Sequence, residues 1–412
     1  MNDLITTLNR IAETYVKLVL SVGLHDSSYV DAYFGPIELS EQVKKENIQL
    51  AGIKSSAREA FVILTSLDMA SREEITKLRW QYLKTQLQSL FARVEMLEGK
   101  KFSFDEEARA LYDAYPPKYP EKHFQEILSE VEGILPGTGT VSARYDEFKK
   151  EFIIPKEQLD AVFQRAIKEC HKRTKEHIEL PANESFTIEY VNNKPWSGYN
   201  WFKGGGFSLI QVNTDLPIYI DRAVDLAAHE GYPGHHLYNS LLEANLYRKH
   251  GWVEFSVYAL FSPQSLIAEG TANFGIEVVF PGAERVEFEK ENLFPLAGID
   301  AGKAEQYYKV HELFLKLAYA GNEAARGYLN GAMTRGQAAE WLVKYALMSP
   351  DRAQQRTRFF DTYRSYVINY NLGQDLVKTY IEKRGGTAGN PKKRWEEFTI
   401  LISSPRLPSG LT

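Results

Sequence analysis

A single cysteine, Cys170, stands among 412 residues, so no internal disulfide can form and nothing in the thiol chemistry conflicts with a reducing cytoplasm. Long apolar runs are missing as well. No stretch reaches the about 20 uncharged residues that a membrane-spanning helix requires. The N-terminus, M-N-D-L-I-T-T-L-N-R-I-A-E, lacks a basic leader and a small-residue cleavage site, and it reads as an amphipathic helix rather than a signal peptide. A cytoplasmic protein with no membrane partner is the expectation. Charge of one sign is equally scarce: the net value of −5 is spread along the chain and offers no basic surface to nucleic acid. Repeats and low-complexity tracts are absent. What remains is a globular chain long enough for one large domain or two intimately packed ones. The division expected is an N-terminal helical subdomain over 1–180, forming a cleft wall or lid, and a second over 181–412. Oligomeric state is not legible.

Helical spacing of apolar residues dominates. Leu4, Ile5, Leu8, Ile11, Tyr15, Leu18 and Val22 predict a first helix. His25–Pro36 reads as a loop. A long helix near Ser71–Glu98 is expected to start on a capping box of Ser71 and Glu74. Helices continue with D-E-E-A-R-A-L-Y, E-K-H-F-Q-E-I-L and P-K-E-Q-L-D-A-V-F, where Pro155 suits the first helical position. Later helices are expected at Met333–Met348 and Arg358–Tyr370, with a peripheral cap beyond Gly385. Alternation of the strand type occurs in one place only, Phe186–Val191 and Gly206–Asn213, around an aromatic loop N-N-K-P-W-S-G-Y-N-W-F-K-G-G. The fold class is therefore mainly α, with a small antiparallel ribbon directly before the most unusual stretch of the chain.

That stretch is A-A-H-E-G-Y-P-G-H-H-L-Y-N, Ala227–Asn239, which holds His229, His235 and His236 with Glu230 after the first of them. Two imidazoles and a carboxylate so close together suit a catalytic zinc site: neutral nitrogen ligands and a base for water. In the common H-E-x-x-H form the histidines lie one helical turn apart; here Pro233 occupies the second position. On a regular helix His235 would lie about 9 Å along the axis from His229 and about 120° round it, too far for one metal. Pro233 lacks an N–H and would clash with the carbonyl of residue 229, and Gly231 and Gly234 flank it. A kink or bulge that absorbs two residues is the consequence. It favours His235 as the second ligand, with His236 as the alternative or in an outer role. A third ligand is expected from S-L-I-A-E-G-T-A-N-F-G, where Glu269 is costly to bury unless paired or metal-bound. Asn273, one turn on, suits an orienting hydrogen bond to a ligand histidine, as does Asp225 one turn before His229.

H-E-G-Y-P-G-H-H followed by E-G-T-A-N resembles the H-E-x-x-P-G-H-H and E-G-W-A motifs of the bacterial family known as domain of unknown function 885. L-S-V-G-L-H-D-S-S-Y-V-D-A-Y-F-G-P and Y-N-L-G (Tyr370–Gly373) resemble further motifs of that family, and Thr271 departs from its usual Trp. The resemblance implies a gluzincin-like zinc peptidase: a nearly all-helical fold with a deep cleft. Zinc would be held by His229, His235 and Glu269, with Glu230 taking a proton from the attacking water. Tyr370, with Tyr366 behind it, is the candidate donor to the oxyanion.

The expected substrate is a peptide or small amide. The ribbon edge from Gly204 to Val212, including Gly205 and Gly206, could hold an extended chain by strand addition. Lys203, Arg358 or Arg364 could bind its carboxylate. Two other readings stay open: a zinc hydrolase of a non-peptide amide or ester, and a non-catalytic binding protein on a peptidase scaffold. The intact Glu230 speaks against the last.

Overall fold

The computed structural model describes residues 2–194 and 196–412, the side chains of Asn2 and Asp3 excepted; Met1 and Pro195, the latter within the expected aromatic loop, lie outside them. The first helix, α1 (Asn2–His25), buries Leu8, Ile11, Tyr15, Leu18 and Val22 on one stripe, as their spacing predicts. Packed on it are α2 (Leu50–Thr65) and α3 (Glu74–Leu97). The α3 helix begins later than its Ser-x-x-Glu signature suggests, with Glu73 as N-cap and no side-chain cap. Ser71 is held instead in a turn closed by Arg72 N–H on the Met69 carbonyl (3.2 Å). Pro155 likewise precedes a short 3₁₀ turn, Lys156–Gln158, and the helix α4 (Leu159–Lys175) starts after it.

The segment expected as a loop after α1 contains a strand, β1 (Val30–Tyr33), which pairs antiparallel with β5 (Val257–Ala259). The main sheet has three strands, β2 (Ser185–Val191), β3 (Gly198–Gly204) and β4 (Phe207–Asn213). The antiparallel ribbon is formed by β3 and β4, with β4 in the centre and β2 parallel to it. Phe186–Val191 and Gly206–Asn213 are neighbours as expected, but the antiparallel sense is corrected: they run parallel, because half of the aromatic loop is itself a strand that makes the antiparallel pair with β4. Tyr199 and Trp201 alternate on one face of β3 against Asn200 and Phe202 on the other, a pattern masked by the glycines around it.

Beyond the sheet come α5 (Asp221–Leu226) and α6 (His235–Leu242), separated by the irregular histidine turn, and then α7 (Pro263–Val279). Nearly every residue of α7 is buried, so it forms the centre of the second half. The expected helix Arg358–Tyr370 is two: α8 (Pro350–Tyr363) and α9 (Ile368–Lys383), broken by a 3₁₀ turn at Arg364–Val367. Arg364 has φ of 50°, in the left-handed region where a side chain is strained. Glu107 compensates by accepting from Arg364 Nε (2.6 Å), Ser365 N–H (3.0 Å) and Ser365 Oγ (2.7 Å). The tail is no peripheral cap. Its helix α10 (Pro391–Ile402) buries Trp395, Phe398, Leu401 and Ile402 and packs on α7, because those apolar residues recur at helical spacing among the basic ones. No helix among the described residues is long and apolar enough to cross a membrane.

The helices α7 and α9 cross in unusually close contact. Gly270 and Gly373 meet there backbone to backbone: a Cβ on Gly270 would stand 2.4 Å from the Gly373 carbonyl. Only paired glycines permit that approach. It brings the start of α9, with Tyr366 just before it and Tyr370 within it, against Glu269 and Asn273 of α7.

Candidate metal centre

The chain leaves α5 in a π turn, Ala227–Gly231, continues through Tyr232 and a cis peptide bond to Pro233, and restarts as α6 at His235. Backbone bonds skip accordingly, Tyr232 N–H to the Ala227 carbonyl (3.1 Å) and Gly234 N–H to the Ala228 carbonyl (2.9 Å). A Cβ on Gly234 would fall 1.9 Å from the His229 carbonyl, so this close fold admits glycine alone. The local irregularity inferred from Pro233 is therefore present, and it has a geometric result. Nε2 of His235 lies 3.1 Å from Nε2 of His229.

Glu269, from α7, closes the group. Its Oε2 is 3.3 Å from His229 Nε2 and 3.7 Å from His235 Nε2, and the three ligand atoms lie within 4.8 Å of one another. That Oε2 is buried and makes no hydrogen bond among the described residues, while Oε1 accepts from the Tyr366 hydroxyl (2.8 Å). An orphaned carboxylate oxygen between two imidazole nitrogens fits a divalent cation, and the N₂O donor set suits zinc. The histidine side chains keep 14% and 12% exposure, so the group is not sealed from solvent. Burial opposes ionisation of Glu269, but the facing imidazoles override it and hold the carboxyl far below its usual range. Burial would likewise lower His235, yet Glu269 pushes it up to about 9.

The surroundings orient the group. Asn273 Oδ1 is 2.9 Å from His229 Nδ1, and its Nδ2 donates to the Tyr370 carbonyl (2.8 Å). Glu230 is buried beside the cluster on the histidine turn, its backbone carbonyl accepting from Asn200 Nδ2 of β3 (2.8 Å). The β3 strand is thereby laid against that turn as a free sheet edge.

His236 turns the other way: Nδ1 meets Ser208 Oγ at 2.8 Å and Nε2 meets Glu184 Oε2 at 2.7 Å, so both ring nitrogens are engaged. Asp225 pairs with Arg222 (3.1 Å) and Arg285 (2.8 Å) rather than with His229. The Gly205 and Gly206 amides, each 3.0 Å from Glu243, anchor the hairpin and are not open donors. Since β4 is the central strand, strand addition is open along β3 rather than along Phe207–Val212. Arg364 is spent on Glu107. Tyr370 is near the group, but its hydroxyl makes no hydrogen bond among the described residues, and Tyr366 is the tyrosine that touches Glu269. Burial and the nearby Glu269, with Arg356 opposing, hold the Tyr370 phenol well above its ordinary value.

Three participants escaped the sequence. Asn200 gives no signal in an aromatic stretch. Asp31, hydrogen-bonded by Tyr199, is pushed up to about 6, first by burial; Tyr199 and His235 oppose the rise, and Glu269 and Glu230 add to it. Its only sequence mark was membership of the His25–Pro36 motif. Arg356 on α8, its guanidinium carbon 5.8 Å from the Tyr370 ring centre, is the third side chain beside the site, and it gave no signal.

No family model matches the chain, and no curated protein matches it. Among solved structures it is similar to a "putative lipoprotein" from Colwellia psychrerythraea, at 16% identity over 87% of this chain and 69% of that one, with a TM-score of 0.52. A "putative lipoprotein of unknown function" from Shewanella oneidensis aligns at 12% identity over 91% and 75%, with a TM-score of 0.49. An M32 carboxypeptidase from Deinococcus radiodurans R1 aligns at 13% identity over 98% and 92%, with a TM-score of 0.37. The Colwellia likeness is one of fold alone.

Proposed function

We propose that this mainly helical protein is a zinc-dependent hydrolase, a metallopeptidase acting on short peptides. The observation that carries the reading is the convergence of His229 Nε2, His235 Nε2 and Glu269 Oε2 with Glu230 on the same turn. Zinc in such a donor set supplies Lewis acidity and eases the ionisation of water. Glu230 would take the proton of the attacking water and hand it to the leaving amine. Tyr366 holds Glu269 in place through Oε1, and Asn273 fixes the ring of His229. The free hydroxyl of Tyr370, its proton firmly held, is the donor left for a developing oxyanion. An extended substrate would lie along the outer edge of β3, a terminal strand of the sheet. The motif resemblance to domain of unknown function 885 supports the same assignment.

The test is Glu230→Gln, assayed on a panel of peptides, amides and esters. Retained zinc with hydrolysis abolished is expected. Undiminished turnover would remove Glu230 as the base, and turnover of esters alone would move the substrate class away from peptides.

A further inference from the structure

A cation with no paired acid among the described residues stands two tyrosines away from the cluster. Arg356 makes no ion pair or hydrogen bond among the described residues, and its Nε is buried without a partner. Its guanidinium carbon lies 4.5 Å from the Phe359 ring centre, 5.9 Å from Phe360 and 5.8 Å from Tyr370. Burial pulls the guanidinium below its usual range, with the neighbouring Tyr370 phenol opposing the shift. The other candidate cations are exposed or committed: Lys203 and Arg358 face solvent, and Arg364 is bound to Glu107.

A partly buried guanidinium with no counter-ion is unfavourable unless a ligand supplies one. Its planar fork matches a carboxylate. Arg356 is linked to the cluster through Tyr370 and Tyr366. Tyr370 packs edge-on to Tyr366 at 5.8 Å between ring centres, and Tyr366 reaches Glu269 at 2.8 Å. One residue of extended chain covers about 3.5 Å, and a peptide with its scissile carbonyl at the cluster and its C-terminal residue laid along Tyr370 would carry its carboxylate toward Arg356. We propose that Arg356 receives the free C-terminal carboxylate of the substrate, which makes the enzyme a peptidase that removes a C-terminal residue or splits dipeptides. The proposal rests on the reading of the protein as a zinc hydrolase. Phe359 and Tyr370 would pack on the side chain of the residue that carries the carboxylate.

Equilibrium binding separates this proposal from that reading. N-acetyl-alanyl-phenylalanine and its C-terminal amide are titrated calorimetrically into Glu230→Gln protein, with kcat/KM on the same pair measured for the wild type. The acid is expected to bind about tenfold to a hundredfold more tightly than the amide. Arg356→Gln should erase that ratio, chiefly through KM, with zinc content unchanged, and Arg356→Lys should keep part of it. Equal binding of acid and amide, or a ratio untouched in Arg356→Gln, would overturn the proposal. So would equally tight binding of N-acetyl-alanyl-glutamyl amide, whose carboxylate is on the side chain only. If acid and amide bind with the expected ratio but neither is cleaved by the wild type, the hydrolase reading fails and the carboxylate site stands. Should Arg356→Gln not fold, the wild-type ratio and Arg356→Lys decide.

Discussion

Nδ1 of His229 lies 2.9 Å from Oδ1 of Asn273. The amide cannot be turned over, since its Nδ2 donates to the Tyr370 carbonyl at 2.8 Å and a carbonyl only accepts. Nδ1 therefore carries the hydrogen, and Nε2 presents its lone pair to His235 and Glu269. Asn273→Ala should lower zinc affinity about 10–100-fold, measured by competition with a chelator. An unchanged affinity would show that the ring is oriented by something else.

The two tyrosines separate by role. Tyr366→Phe leaves the buried Oε1 of Glu269 without a donor and should cost about 1–3 kcal/mol in urea unfolding of the metal-free protein. Tyr370→Phe removes a hydroxyl with no hydrogen-bond partner among the described residues. It should leave the urea midpoint nearly unchanged while lowering kcat. Equal losses of stability would contradict the assignment.

The glycine crossing can be tested with one methyl group. A Cβ on Gly373 would stand 2.7 Å from the Leu266 carbonyl and 3.0 Å from Gly270 Cα. Gly373→Ala should destabilise by about 1–3 kcal/mol and weaken zinc binding, because Tyr366 and Tyr370 shift with α9. Gly133, with nothing within 4 Å of an added Cβ, is the control, and Gly133→Ala should stabilise its helix by up to about 1 kcal/mol.

How far these relationships could be read beforehand differs by residue. The helical architecture and the meeting of His229 with His235 follow from local chemistry, namely apolar periodicity and a proline between glycines. Glu269 and Asn273 are legible because residues four apart share a helix face. Tyr366, rather than Tyr370, touches Glu269 because the chain turns at Arg364, and that strained turn is held by Glu107, more than 250 residues away in sequence. Arg356 looks like any charged helix residue until it proves to have no ion-pair or hydrogen-bond partner among the described residues. The strand β3 is hidden because aromatic residues and glycines together read as a loop, whereas its register is set by pairing with β4.

Acidity should couple to metal through His235. Burial would lower its pKa, but Glu269 raises it to about 9, above the unfolded value near 6.5. Its contribution to the stability of the metal-free protein is therefore complete below about 6.5 and is lost as pH rises through about 9. Zinc must displace that proton, so the rise in Tm on adding zinc should grow between those limits. Thermal scans with and without zinc across this range check it. A flat or falling increment would contradict it.

The most direct measurement is the zinc content of purified wild type, His235→Ala, Glu269→Ala and His236→Ala, each checked for folding by circular dichroism. The wild type should hold about one zinc per chain, as a single three-ligand site does. His235→Ala and Glu269→Ala should lose it, and His236→Ala, whose ring nitrogens face Ser208 and Glu184, should keep it. Full zinc in His235→Ala, or its loss in a folded His236→Ala, would contradict the site described.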